Sequence, residues 1–253
     1  MVYFASDFHL GIDARLLSQE RERQIVRWLD LISNDAETIF LVGDLFDFWF
    51  EYKSVVPRGF VRLLGKMAEL KDRGINIEVF TGNHDMWMFS FFEDELGIPV
   101  HREPIIREIN GVKFFIAHGD GLGPNDYGYK FIKKVFAHPI SQWLFARLHP
   151  NFAFAMARYW SSKSRETAEQ KDQLLGRDQE WLVEYANKKL DQMDIDYFIF
   201  GHRHIPINCL LDNGTSIYIN LGDWLYYNSF ASFDGHVVKI QFFENDGASP
   251  RKL

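Results

Sequence analysis

The chain predicts an α/β sandwich with one helical insertion. Three observations point there. Strand-like and helix-like runs alternate through the first half, and the last quarter is nearly all strand. Between them a helical stretch from about Asp126 to Gln170 is too long for an ordinary connection. Val2–Ser6 opens as a β-rich strand, and Gln19–Ser33 follows as an amphipathic helix with Ile25, Leu29 and Ile32 on one face. Thr38–Val42 is a second strand, Arg58–Arg73 a helix stopped by Gly74, and Ile75–Thr81 a third strand. Ile105–Ile109 and Lys113–Ala117 flank Asn110-Gly111, a strong hairpin signal. Beyond the insertion, Asp172–Leu190 reads as helix. Tyr197–Phe200, Asn208–Leu211, Ser216–Asn220, Tyr226–Phe233 and Val237–Phe243 read as strands, with turns at Asn213-Gly214 and Asp234-Gly235. The last eight or so residues are expected to fray. The 253 residues suit a single domain, 1–253, that includes the insertion.

Composition narrows the environment. The only cysteine, Cys209, excludes an intrachain disulfide and fits a reducing compartment. The sequence enters its first strand without a charged leader and has no run of about 18 apolar residues, so a cytoplasmic protein is expected. A net charge of −7 argues against nucleic acid as partner. The charge is unevenly distributed, however. From Lys130 to Arg165 there are seven basic residues and no Asp or Glu, which leaves −14 on the remainder. The same segment holds Phe131, Phe136, Trp143, Phe145, Phe152, Phe154, Tyr159 and Trp160. Basic amphipathic helices settle on anionic membrane surfaces, and cations beside apolar groups suit an acylated anion. The competing reading is that Phe131/Val135, Ile132/Phe136 and Leu144/Leu148 pack a cap onto the domain.

Five motifs each follow a predicted strand: Asp7-Phe8-His9, Gly43-Asp44-Leu45-Phe46-Asp47, Gly82-Asn83-His84-Asp85, His118-Gly119-Asp120 and Gly201-His202-Arg203-His204. Strand ends in α/β sheets deliver residues to one crevice. Taken singly, each motif has an ordinary explanation as a capping aspartate, a buried histidine or a turn. Five in succession do not. Carboxylate, amide oxygen and imidazole without thiolate suit Mn²⁺, Fe or Zn²⁺. Two such ions about 3.5–4 Å apart can clamp the attacking and departing oxygens of phosphoryl transfer.

With these motifs the chain resembles the calcineurin-like metallophosphoesterase superfamily. The resemblance implies two mixed sheets flanked by helices, an inserted helical cap and two divalent metal ions. It places Asp7, His9 and His204 on one ion and Asn83, His118 and His202 on the other, with Asp44 bridging. His84 would contact or protonate the leaving side of the phosphate, oriented by Asp85. Leu41–Trp49, Leu221-Gly222-Asp223-Trp224, and His118-Gly119-Asp120 followed by Asp126 and Tyr129 further resemble the UDP-2,3-diacylglucosamine pyrophosphatases of lipid A synthesis. That likeness implies Mn²⁺-dependent hydrolysis of an acylated nucleotide-sugar glycolipid at the cytoplasmic face of the inner membrane, with no obligate protein partner. Substrate contacts would fall on Asn83, His84, Asp126, Tyr129, Ser164, Arg165, Lys171 and His202. Two positions depart from the pattern: His84 stands where the best-known members carry Arg, and Ala168 where they carry Asn. Two other functions are weighed against this one. A different calcineurin-like phosphodiesterase or phosphatase would not need an acyl cleft, and a non-catalytic adaptor would be expected to have lost ligands.

Overall fold

The computed structural model describes residues 1–123, 127–169, 180–245 and 248–251, without the side chains of Arg158 and residues 162–169. Two sheets stack face to face. The first contains β1 (Val2–Ala5), β2 (Thr38–Val42), β3 (Asn76–Phe80), β4 (Val100–His101), β10 (Ser229–Phe233) and β11 (Val238–Phe242), in the order β11-β10-β1-β2-β3-β4. The second contains β5 (Ile105–Ile109), β6 (Val112–Ala117), β7 (Tyr197–Phe200), β8 (Pro206–Leu210) and β9 (Ile217–Leu221), in the order β5-β6-β7-β9-β8. Each sheet is mixed: β1 to β4 run parallel with β10 antiparallel to β1, and β6, β7 and β9 run parallel with antiparallel neighbours outside them.

Strands buried on both faces need apolar residues at every position, which explains the unalternated run of Ile39 to Val42. One face of each sheet meets the other through Phe4, Phe40, Phe114, Ile199, Ile219 and Phe233. Outside the first sheet pack α1 (Ser18–Ile32) and α2 (Val61–Asp72), through Ile25, Trp28, Leu29, Leu63, Met67 and Leu70. A short α3 (Phe91–Leu96) adds Phe92 to that layer, and α7 (Trp181–Leu190) covers the second sheet with Leu182, Val183 and Ala186. Between β6 and α7 the described chain is helical: α4 (Tyr127–Ala137), α5 (Pro139–Phe145) and α6 (Pro150–Glu169).

The differences from expectation have local causes. The second helix begins at Val61 because Gly59 and Phe60 adopt left-handed backbone conformations. β10 begins at Ser229 because the Asp223 carboxylate captures the N–H groups of Tyr226 and Tyr227, forming a turn. The expected fraying of the C-terminus is corrected at Arg251, which exchanges backbone hydrogen bonds with Pro206 and Asn208 beside β8. α3 and β4 are too short to leave a periodic signal. No helix among the described residues is long and apolar enough to cross a membrane.

The insertion divides its apolar residues. Phe136, Phe145, Leu148 and Ala153 pack against Phe48, Phe50, Tyr52 and Trp87, and the Trp87 indole donates to the Phe136 carbonyl at 2.9 Å. Phe131, Ile132, Val135, Trp143 and Leu144 face solvent, with Trp143 56 % exposed. The competing reading holds only in part: in Ile132/Phe136 and Leu144/Leu148 the second member packs against the body and the first faces solvent, and both Phe131 and Val135 are exposed.

Candidate metal centre

The C-terminal ends of β1, β2, β3, β6 and β7 all open on one edge of the sandwich. Asp7 and His9 follow β1, Asp44 follows β2, Asn83 and His84 follow β3, His118 follows β6, and His202 and His204 follow β7. Side chains up to 197 positions apart in sequence meet there, in three overlapping clusters whose donor atoms lie within 4.8 Å of one another: Asp7–His9–His204, His9–Asp44–His84 and Asp44–His118–His202. Asp44 joins two of them. Its Oδ2 lies 3.3 Å from His118 Nε2 and 3.7 Å from His9 Nε2, while Oδ1 accepts the His84 backbone N–H at 2.8 Å.

The backbone is strained to achieve this. Asp7, His9, Asp44, His202 and His204 all have φ between 44° and 67°, the left-handed region that non-glycine residues rarely occupy. Each such residue costs about 1–3 kcal/mol and persists only where its surroundings over-determine it. Here the loops zip together: Asp7 N–H donates to Gly43 O, His9 N–H to Asp44 O and Leu10 N–H to Leu45 O, each at 3.0 Å. Arg21, fully buried, donates to the carbonyls of Phe8, His9, Ile12 and Leu16 and so fixes the loop carrying His9. Gly43 has φ +84°, and a Cβ there would stand 2.5 Å from His118 Nδ1, so only glycine admits that ring.

Further contacts orient the ligands. His118 Nδ1 donates to Val42 O at 2.8 Å, which turns Nε2 toward Asp44. His204 Nδ1 faces Asp223 Oδ2 at 3.3 Å. Asp120 binds the Tyr129 hydroxyl at 2.6 Å and Lys133 at 2.7 Å, so Tyr129 and Lys133 turn back onto the loop following His118. The expected orienting role of Asp85 toward His84 is corrected. Its carboxylate accepts backbone N–H groups of Gly82, Leu45 and Phe46, because a fully buried acid at a loop crossing is nearest to amides. The His84 ring is held instead by Asp47 O, 3.0 Å from Nδ1, and by Ser161 Oγ at 3.3 Å. Asp126 and Lys171 lie outside the described residues, and Ser164 and Arg165 are placed on α6 by backbone alone.

Charge follows geometry. Burial opposes ionisation of Asp44, yet the neighbouring His118 and His84 hold its carboxyl well below the usual range. Burial likewise disfavours a charged His9, but Asp47 and Asp7 push it up to about 10; His118 is pushed up to about 10 by Asp44. Burial, reinforced by His118, lowers His202 to about 4. A cation needs neutral imidazole, so one held by His9 and His118 would compete with protons there. Binding of a divalent cation at pH 7.5 is therefore expected to release protons and to weaken as pH falls. Calorimetric titration in two buffers of different ionisation enthalpy checks this; a buffer-independent heat would contradict it.

Divalent cations fit these residues. The donors are carboxylate, amide and imidazole without thiolate, and Asp7 Oδ1, Asn83 Oδ1 and His118 Nε2 are buried without a hydrogen bond from any described residue. A search of family models agrees: residues 1–206 match the calcineurin-like phosphoesterase model. The chain belongs to the calcineurin-like phosphoesterase family. It is a metal-dependent hydrolase. Among proteins similar to this phosphoesterase, the UDP-2,3-diacylglucosamine hydrolase of Porphyromonas gingivalis is 37 % identical over 96 % of this chain and 98 % of that protein. The Aeromonas salmonicida protein of the same name is 27 % identical, covering 89 % and 87 %.

Proposed function

We propose that the chain hydrolyses the pyrophosphate bond of UDP-2,3-diacylglucosamine, releasing UMP and 2,3-diacylglucosamine 1-phosphate, with two divalent cations that are Mn²⁺ in preference to Fe or Zn²⁺. The observation that carries the two-cation reading is Asp44, one buried carboxylate shared by two donor clusters. In this reading Asp7, His9 and His204 would hold one cation and Asn83, His118 and His202 the other, with Asp44 shared between them. Such a pair, when bound, would supply charge neutralisation of the phosphoryl oxygens and an activated water near neutral pH. His84 meets the phosphate on its leaving side. Burial lowers the pKa of its ring, and Nδ1–H donates to Asp47 O; a nearby phosphate dianion would favour its protonation.

Three features support the glycolipid. One is the similarity, over nearly the whole chain, to the P. gingivalis hydrolase. A second is a cleft of about 870 Å³ between the insertion and the body, lined by Phe48, Val55, Val56, Phe60 and Phe154 and reaching Asp47. A smaller cavity of about 360 Å³ beside Arg15, Arg23 and Arg27 contains no donor residue. The third is the solvent-facing apolar surface of α4 to α6, which suits a chain resting on the cytoplasmic face of the inner membrane. The cap is then residues 126–170 of a single domain, 1–253. Asn83, His84, Asp126, Tyr129, Ser164, Arg165, Lys171 and His202 contact substrate. Purified chain loaded with Mn²⁺ should release UMP from UDP-2,3-diacylglucosamine. Turnover of bis(p-nitrophenyl) phosphate without release of UMP would reject the glycolipid and leave a phosphodiesterase of other specificity.

A further inference from the structure

Helix α6 reaches into the centre at Ser161. Ser161 is 8 % exposed, and its Oγ lies 2.9 Å from both Oδ1 and Oδ2 of Asp47, which comes from the loop after β2, 114 positions away. The same oxygen lies 3.3 Å from His84 Nδ1. Asp47 in turn accepts from His84 Nδ1 through its backbone carbonyl at 3.0 Å, and its Oδ1 stands 3.6 Å from both His84 Nδ1 and His9 Nδ1.

Donor and acceptor roles follow from the chemistry of the groups. A carboxylate can only accept, so the single Ser161 proton points to Asp47. The Asp47 carbonyl can only accept, so His84 Nδ1 carries a proton. The Ser161 lone pairs then face that N–H, and a chain runs from imidazole to hydroxyl to carboxylate. Its direction excludes Ser161 as a nucleophile: the proton is committed to Asp47, and the imidazole presents N–H where a general base would need a lone pair. The chain serves to fix the ring and to leave Nε2 for the phosphate. It also ties the insertion to the centre, since α6 carries Ser161 and lines the cleft with Phe154.

We propose that Ser161 is a positioning residue for His84, coupling the seating of the helical insertion to the imidazole that meets the phosphate. The proposal rests on the two-cation phosphoesterase reading but not on the glycolipid. Misplacing a reacting group by a fraction of an ångström to 1 Å costs roughly 10- to 100-fold in rate. Ser161→Ala removes the hydroxyl and little volume, so the full chain loaded with Mn²⁺ should lose roughly 10- to 100-fold in kcat. KM and Mn²⁺ content should remain near those of the unsubstituted chain.

The test is a double-mutant cycle on bis(p-nitrophenyl) phosphate and on UDP-2,3-diacylglucosamine. In a His84→Ala background, Ser161→Ala should change kcat less than about twofold, because the group through which it acts is gone. Multiplicative losses in the two backgrounds, an unchanged kcat in the single variant, or a loss of Mn²⁺ with Ser161→Ala would each overturn the proposal. The diester separates the two claims. If the unsubstituted chain turns over the diester and not the glycolipid, the glycolipid assignment fails while the cycle can still be read.

Discussion

Asp44→Asn should leave the chain folded and reduce hydrolysis by about 10³-fold or more, with loss of bound Mn²⁺. Asp44 belongs to two of the three donor clusters, and both its oxygens are engaged, Oδ1 by the His84 N–H and Oδ2 facing His118 and His9. An amide has nearly the same shape, but it brings no charge to separate two cations. It also turns an N–H₂ toward either a backbone N–H or the imidazoles. The β2 strand that precedes it is unaffected, since Leu41 and Val42 are buried in the sheet. Metal analysis of purified protein, with circular dichroism to confirm folding, checks the prediction. Unaltered turnover with Mn²⁺ retained would contradict it.

Gly82→Ala should lower kcat roughly 100-fold while sparing the fold. A Cβ at Gly82 would overlap Asp44 Oδ1, and it would stand 2.7 Å from both Asp44 Cγ and Asp44 N. Neither partner can retreat. The Gly82 N–H is held by Asp85 Oδ1 at 2.7 Å, and Asp44 is held by the N–H of His84. The added methyl must displace the bridging carboxylate, so Mn²⁺ affinity should fall along with rate. Gly65→Ala is the natural control: it lies in α2, where a Cβ meets nothing within 4 Å. That change should stabilise the helix by about 0.5–1 kcal/mol without altering activity. Kinetics and thermal denaturation of the two variants separate the outcomes. Equal behaviour would remove the steric argument.

The donor set was legible because each residue follows a strand-like run and most sit beside a glycine, so residue type and order together name the strand ends. The sandwich was legible for the same reason, as in the unalternated Thr38–Val42 run and the Asn110-Gly111 turn. What escaped the sequence is contact between distant groups. Nothing in Ser161 distinguishes it from any serine on a helix, yet its role depends on Asp47 from another layer. Arg21 reads as a surface arginine of an amphipathic helix, and only the folded loop of residues 8–16 gives its guanidinium four carbonyls. Adjacency pairs Asp85 with His84, whereas the turn directs its carboxylate to amides across the loop. By sequence the basic stretch is a set of available cations, but Lys133 pairs with Asp120, and Arg147 lies over the ring of Trp143 at 4.6 Å. Charge counts register composition, not partners.

The most direct measurement is anomalous diffraction at the manganese edge from crystals of the chain grown with Mn²⁺. The account predicts two peaks about 3.5–4 Å apart with the Asp44 carboxylate between them. One peak alone, or two with Asp44 bound to neither, would contradict it.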